Sequence, residues 1–331
     1  MMVKLPSFDT LTKRNVALRA VRRYFDEMGY CEVQTRAMRA TTATDPYIES
    51  FKTFGVDEDL PLYLQTSPEY AHKILLSHVR APIYEIARVF RRESCGLLHR
   101  SEFTLVEWYH PETDYVDMMN ETEGLVRAVS AALGTQSWRS RARSELGVSI
   151  DCSSSFERLT FEEAFERYAG FSPFSQTHES LYALARQAGS RVRSEWSDND
   201  IINCVLVDRV EPRLGIERPT FLTDYPPSMA SLAQVRPRGD HRVAERFELY
   251  LCGVEICNGY SELNDAEELR SRFAEDNAER QRLGIETLPD DEALLAALPA
   301  LGKLGGNAVG FDRLLMCCLG IDDIGEVTID V

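Results

Sequence analysis

Long apolar runs are missing from this chain. None approaches the ~20 residues that a membrane helix needs, and the opening Met1-Met-Val-Lys-Leu-Pro-Ser7 has no apolar stretch suited to a secretory signal. The eight cysteines include no CxxC pair, which argues against a disulfide framework or a zinc site and leaves free thiols that fit a reducing cytoplasm. Basic residues are scarce, with 37 Lys and Arg against 53 Asp and Glu and a formal net charge of −16. That balance weighs against a broad nucleic-acid footprint, which needs clustered Lys and Arg. What remains, 44% hydrophobic and 27% charged over 331 residues, is the composition of an ordinary soluble globular protein.

The chemistry concentrates between Arg88 and Tyr109. Residues 83–92 and 102–109 are rich in β-formers and flank a polar, Gly-containing loop, so the pattern predicts a hairpin. Side chains alternate along a strand, which puts Phe103, Leu105, Glu107 and Tyr109 on one face and pairs Arg91 with Glu93 on the other strand. An aromatic ring, a carboxylate and a phenol pointing one way are unusual for a face that only fills a core. Arg on a phosphate, Glu on a base amine and Phe stacked on the ring would grip a purine nucleotide. Taken alone, the same residues also describe a salt-bridged surface hairpin.

Elsewhere the signals are local. Ala17, Val21, Tyr24 and Met28 predict an amphipathic helix over 11–29 stopped by Gly29, followed by a strand to Thr35. Ser67 and Pro68 read as N-cap and first turn of a helix over 68–78, with Glu69 compensating its dipole. Asp114 caps a helix over 115–133 ending at Gly134. Thr160-Phe-Glu-Glu163 reads as a capping box, and 198–211 as a further helix. A second hairpin runs from Arg242 to Leu263 around Gly253, and strand pairing is expected to bring Glu248 and Glu255 side by side. Two like charges there call for a cation, and magnesium held by carboxylates and phosphates is the natural choice. Residues 265–283 read as a charged, solvated helix.

Three of these stretches together resemble the class II aminoacyl-tRNA synthetases. Arg91-x-Glu93, a loop, then His99-x-x-x-Phe103 resembles motif 2. The helix over 11–29, its Gly29 and the following Glu32-Val-x-Thr35 resemble motif 1, with Arg36 where the family has Pro. Gly305-Gly-Asn-Ala-Val-Gly-Phe-Asp-Arg313 resembles motif 3. Glu102-Phe-Thr-x-x-Glu-x-Tyr109 and Glu255-Ile-Cys-Asn-Gly-Tyr-Ser-Glu262 are similar to the lysyl branch. The resemblance implies an α+β fold: an antiparallel sheet flanked by helices, one catalytic domain over 1–331 with a helical insertion at about 135–219, and a homodimer built on motif 1. It also implies ATP and Mg2+. Arg91 and Arg313 would be catalytic, and ATP would be held by Arg91, Arg92, Glu93, His99, Arg100, Phe103, Glu248, Glu255, Ile256, Gly310 and Arg313. The metal would lie on Glu248 and Glu255. The amino-acid substrate would meet Ser67, Pro68, Glu69, Glu107, Tyr109, Asn258, Glu262 and Ala308.

The first motif begins about ten residues into the chain and the last lies near its end, so no anticodon-binding domain is expected and tRNA is disfavoured as a partner. Ser67-Pro-Glu, Glu107-Trp-Tyr, Ser231-Leu-Ala-Gln and Asp240-His-Arg-Val-Ala-Glu-Arg-Phe-Glu248 resemble a truncated lysyl branch that ligates β-lysine to elongation factor P. Three functions stay open at this point: a protein-lysine ligase, a tRNA-charging enzyme without an anticodon domain, and a silent regulatory paralogue. Retention of the arginines and glutamates disfavours the third. Two departures stand out. Arg100 replaces an Asn beside the ATP site, and Tyr260-Ser-Glu-Leu is nearer the full-length synthetases. Ala308 occupies a position where lysyl-tRNA synthetases have Gly.

Overall fold

Ser7 accepts a hydrogen bond from Thr10 N at 3.0 Å and caps the first helix, α1 (Phe8–Glu27). Ala17, Ala20, Val21 and Phe25 are its buried face, while Met28, read from sequence as part of that face, is 40% exposed. The structure, a computed structural model, describes residues 5–55, 60–141, 147–174 and 176–329. Residues 1–4 of the opening segment and 330–331 of the closing one, on which the sequence argument drew, lie outside the described residues.

After α1 come β1 (Cys31–Glu32), β2 (Met38–Arg39), β3 (Lys52–Phe54), β4 (Pro61–Leu64) and α2 (Glu69–Leu76). The cap of α2 sits one residue later than expected: Pro68 is the N-cap, and Ser67 Oγ accepts from Glu69 N at 3.0 Å. The central hairpin is β5 (Ile83–Phe90) and β6 (Glu102–Pro111), with Val89 facing Phe103 and Ile83 facing Tyr109. A reciprocal capping box of Asp114 and Asp117 starts α3 (Tyr115–Leu133), and Gly134 ends it at φ 67°.

Residues 135–219 are not simply helical. Strands β7 (Ser137–Ser140) and β8 (Val148–Asp151) pair as a small sheet, and β9 (Glu157–Thr160) joins the main one. Helices α4 (Phe161–Tyr168), α5 (His178–Gln187) and α6 (Asp198–Val205) follow, and the Thr160–Glu163 capping box is formed as read. They bury their own core around Phe161, Phe165, Ile201 and Val205 against Leu222 and Tyr225.

The remaining elements are β10 (Thr220–Tyr225), β11 (Val235–Arg238), β12 (His241–Leu251), β13 (Val254–Ser261), α7 (Ala266–Arg282), α8 (Glu292–Ala297), β14 (Leu304–Gly310) and α9 (Phe311–Leu319). The main sheet runs β1-β5-β6-β14-β13-β12-β10-β9, with β11 beside β12. It is antiparallel except at its edges, where β1 runs parallel to β5 and β9 parallel to β10. Cys252 and Gly253, at φ 55° and 76°, make the tight β12–β13 turn. One face of the sheet is closed by α1, α3 and α9 over Trp108, Val106 and Phe247. On that side Glu121 is buried but satisfied, with Tyr30 OH at 2.5 Å, Trp108 Nε1 at 2.9 Å and His110 Nδ1 at 2.8 Å. Among the described residues no helix is long and apolar enough to cross a membrane.

Candidate active site

The opposite face of the sheet is left open as a cleft of about 490 Å³. Its floor is β14, where Gly306, Ala308 and Gly310 point into the cleft on alternate residues. Minimal side chains are required there. A Cβ on Gly306 would collide with Glu262 Oε1 and the Tyr109 ring. Ala308 sits between Glu107 on β6 and Asn258 on β13.

At one end of the cleft carboxylates converge. Glu107 is 1% exposed and accepts from Ser67 Oγ at 2.8 Å and from Tyr109 OH at 2.9 Å. Glu262, also 1% exposed, and Glu69 both contact Lys73 Nζ at 2.6 Å. Burial raises the Glu69 carboxyl above its ordinary range, Lys73 opposing, and pushes Glu262 up to about 8. Among the described residues Asn258 Oδ1 finds no hydrogen-bond partner, a buried orphan acceptor in a cleft wall.

Arginines and an aromatic ring occupy the other end. The Arg91 guanidinium stands over the Phe103 ring with 5.2 Å to its centroid, and burial lowers its proton affinity. Arg313 donates to Glu255 Oε2 at 3.3 Å and to His99 Nε2 at 2.9 Å. Glu93, Arg100 and Ile256 line the same region, and Arg100 is tied to Asp323 at 3.1 Å. An ion pair behind this end joins all three motif regions: Asp312 on α9 binds Arg14 of α1 and accepts from Thr104 N of β6 at 2.8 Å.

Several sequence expectations change. Arg92 points away from the cleft and pairs on the surface with Glu49 at 2.7 Å. Pro68 is buried and does not line the cleft. Glu248 and Glu255 are not directly opposite, because a bulge between Leu249 and Tyr250 shifts the register and Glu248 faces Asn258. Glu248 is engaged by Arg246 at 2.6 Å and by Tyr250 OH at 2.8 Å. The two still feel one another: burial and then the Glu248 charge raise the Glu255 carboxyl. Two carboxylates on adjacent strands fit a divalent cation, which would relieve the burial and like charge that raise Glu255.

Sequence reading also left functional side chains unassigned. Helix α7, read as merely solvated, lines the cleft through Leu269, Arg272, Phe273 and Asp276. Asp276 accepts from Thr44 Oγ1 at 2.6 Å. Lys73 and His72 went unnoticed, although the Glu69–Lys73 spacing of four was visible as an ordinary helical ion pair.

The fold and this cleft define the class. The sequence pattern of tRNA synthetases class II (D, K and N) matches residues 3–329, and the chain belongs to that family. More narrowly, it is 39% identical to an elongation factor P–(R)-β-lysine ligase of Proteus mirabilis, across 97% of this chain and 94% of the relative. Ligases of the same name from Photorhabdus laumondii and Klebsiella pneumoniae are 39% and 38% identical, each across 96% of this chain and 93% of theirs.

Proposed function

We propose that this chain activates (R)-β-lysine, or lysine, as an adenylate with ATP and transfers it to a lysine side chain of elongation factor P. The observation that carries the reading is the polarity of one cleft: three carboxylates, Glu69, Glu107 and Glu262, at one end and two arginines, Arg91 and Arg313, at the other. An amino acid with two ammonium groups suits the first end, and a nucleotide triphosphate the second. The names of the relatives point to the same pair of substrates.

A carboxylate becomes an acylating agent only when its oxygen is made a leaving group. In-line attack of the substrate carboxylate on the α-phosphate gives the adenylate and pyrophosphate, a step that needs alignment and charge neutralisation more than a protein nucleophile. Arg91 neutralises charge at the α-phosphate, while Phe103 stacks on adenine and Glu93 meets its amine. Arg313, with His99 and Arg100 beside it, holds the triphosphate tail over Gly310 and Ile256. Magnesium bound by Glu248 and Glu255 would neutralise phosphate charge. Glu107, held by Ser67 and Tyr109, takes the terminal ammonium together with Glu262, and Glu69 takes the other amine. Asn258 presents its free Oδ1 to the substrate. The acceptor ε-amine then attacks the adenylate carbonyl, an amide bond forms, and AMP leaves.

In this reading the chain is one catalytic unit with 135–219 as an insertion, acting in the cytoplasm as a homodimer through α1 and the segment after it, with elongation factor P and not tRNA as acceptor. The experiment is to offer purified protein ATP, α- or β-lysine, and either elongation factor P or tRNA, and to weigh the products. A mass increment on elongation factor P is expected. Transfer to tRNA alone refutes the acceptor, and absence of pyrophosphate exchange with every lysine analogue refutes catalysis.

A further inference from the structure

Two adjacent residues of α2 each place a basic side chain between two carboxylates. Lys73 Nζ is 2.6 Å from Glu69 Oε1 and 2.6 Å from Glu262 Oε2, with its side chain 1% exposed. His72 is 2.9 Å from Glu85 Oε2 and 3.6 Å from Glu107 Oε1. Neither Lys73 nor His72 lines the cleft, whereas Glu69, Glu107 and Glu262 do. An ammonium this buried exists only because it is paired. With both of its carboxylates ionised, the Lys73 bridge carries one negative charge over, which one more positive group would balance.

We propose that Lys73 is a positioning residue that sets the affinity for substrate, holding Glu69 and Glu262 at a joint charge that one substrate ammonium completes. This rests on the reading of the cleft as the site of a diamino acid. The groups facing Glu262 are Lys73 and Glu69 on α2, Glu107 and Tyr109 on β6, and Tyr260 on β13. Burial, then Glu69 and Glu107, raise Glu262 to about 8, and Lys73 alone among these opposes the rise. A Glu262 carboxyl raised to about 8 favours its protonated form near neutral pH. An arriving ammonium favours the carboxylate, so the proton leaves as substrate binds. Removing Lys73 strengthens the hold on that proton, and the ammonium then meets a neutral carboxyl.

The test is pyrophosphate exchange with β-lysine on the full chain, followed from about pH 6 to about pH 9.5. Wild-type KM should fall as pH rises towards about 8. In Lys73→Met the fall should move to higher pH and KM at pH 7 should rise roughly ten-fold for each pKa unit gained, with kcat changed far less. Lys73→Arg should return both towards wild type. A folded Lys73→Met with wild-type KM and pH profile overturns the inference alone, while a wild type inert with every lysine analogue overturns it together with the proposed function. Should Lys73→Met not fold, calorimetry of β-lysine binding to wild type in two buffers of different ionisation heat decides. Release of close to one proton supports the proposal, and no release overturns it.

Discussion

Replacing Ala308 by glycine removes one methyl from the floor of the cleft, at the point where β14 passes between Glu107 and Asn258. The methyl lines the cleft, and under the proposed function it would occupy space that an α-amino group enters, whereas a β-amine, one carbon further from the carboxylate, would avoid it. A single methyl in such a site is worth about 1–3 kcal/mol of discrimination, or roughly ten- to two-hundred-fold. The fold should tolerate the change. Glycine in a strand interior costs about 0.5–1 kcal/mol relative to alanine, small against a total stability of about 5–15 kcal/mol, and β14 already carries Gly305, Gly306 and Gly310. The assay is ATP–pyrophosphate exchange with α-lysine and (R)-β-lysine in parallel, compared as kcat/KM. We expect the ratio to move towards α-lysine by roughly ten-fold or more in Ala308→Gly. An unchanged ratio would refute the steric reasoning, and an equal loss with both substrates would show that the methyl supports the floor and does not select.

Three further predictions address charge and stability. Arg91→Ala and Arg313→Ala should each slow adenylate formation by about 10²–10³-fold in single-turnover assays, with the melting transition retained; a collapsed melt in either would undo its assigned role. Arg14→Leu should leave the Asp312 carboxylate, 2% exposed, without its cation and cost about 3–5 kcal/mol in chemical denaturation, and a loss under about 1 kcal/mol would contradict that account. Asp276, half-buried on α7, is pushed up to about 6 by burial, with Asp45 and Glu275 adding and Thr44 opposing. Its folded form thus binds a proton more tightly than the unfolded chain, and the stability it contributes is lost as pH rises from the ordinary carboxylate range through about 6. Asp276→Asn should match wild type near pH 4 and be more stable above pH 7, by about 1–2 kcal/mol after discounting for solvent screening; equal stability at both pH values would contradict the shift.

Local chemistry made much of the architecture legible. The β5–β6 hairpin, the α3 boundaries at Asp114 and Gly134, and the Thr160 box each depend on residues within a few positions of one another, and each is found where the sequence puts it. What depends on distant pairing was not legible. Strand β9 lies against β10 in parallel, a partnership no local pattern announces. The Glu248–Glu255 geometry turns on a bulge at Leu249, and an extra residue in one strand leaves no mark in composition. Helix α7 looks solvated because most of its residues are charged, yet Leu269 and Phe273 anchor it so that Asp276 and Arg272 face the cleft. Lys73 was hidden for the opposite reason: a lysine four residues after a glutamate looks like a surface pair until Glu262 arrives from across the chain.

The seam between β6 and β14 joins positions roughly two hundred residues apart, whereas the β5–β6 hairpin closes through the loop 91–101 and β12–β13 through Cys252 and Gly253. Loop closure must precede the contacts that reward it, which makes this seam the slow junction of assembly. It also divides the cleft. Arg91, Phe103 and Glu107 arrive with the first hairpin, Glu255 and Glu262 with the second, and Ala308 and Arg313 only with β14 and α9. A chain emerging from the ribosome therefore has no complete cleft until Leu304–Leu319 has been made and inserted between the two hairpins. Partial chains from arrested synthesis should accordingly be inert, holding neither nucleotide nor amino acid, so that binding competence appears in a single late event.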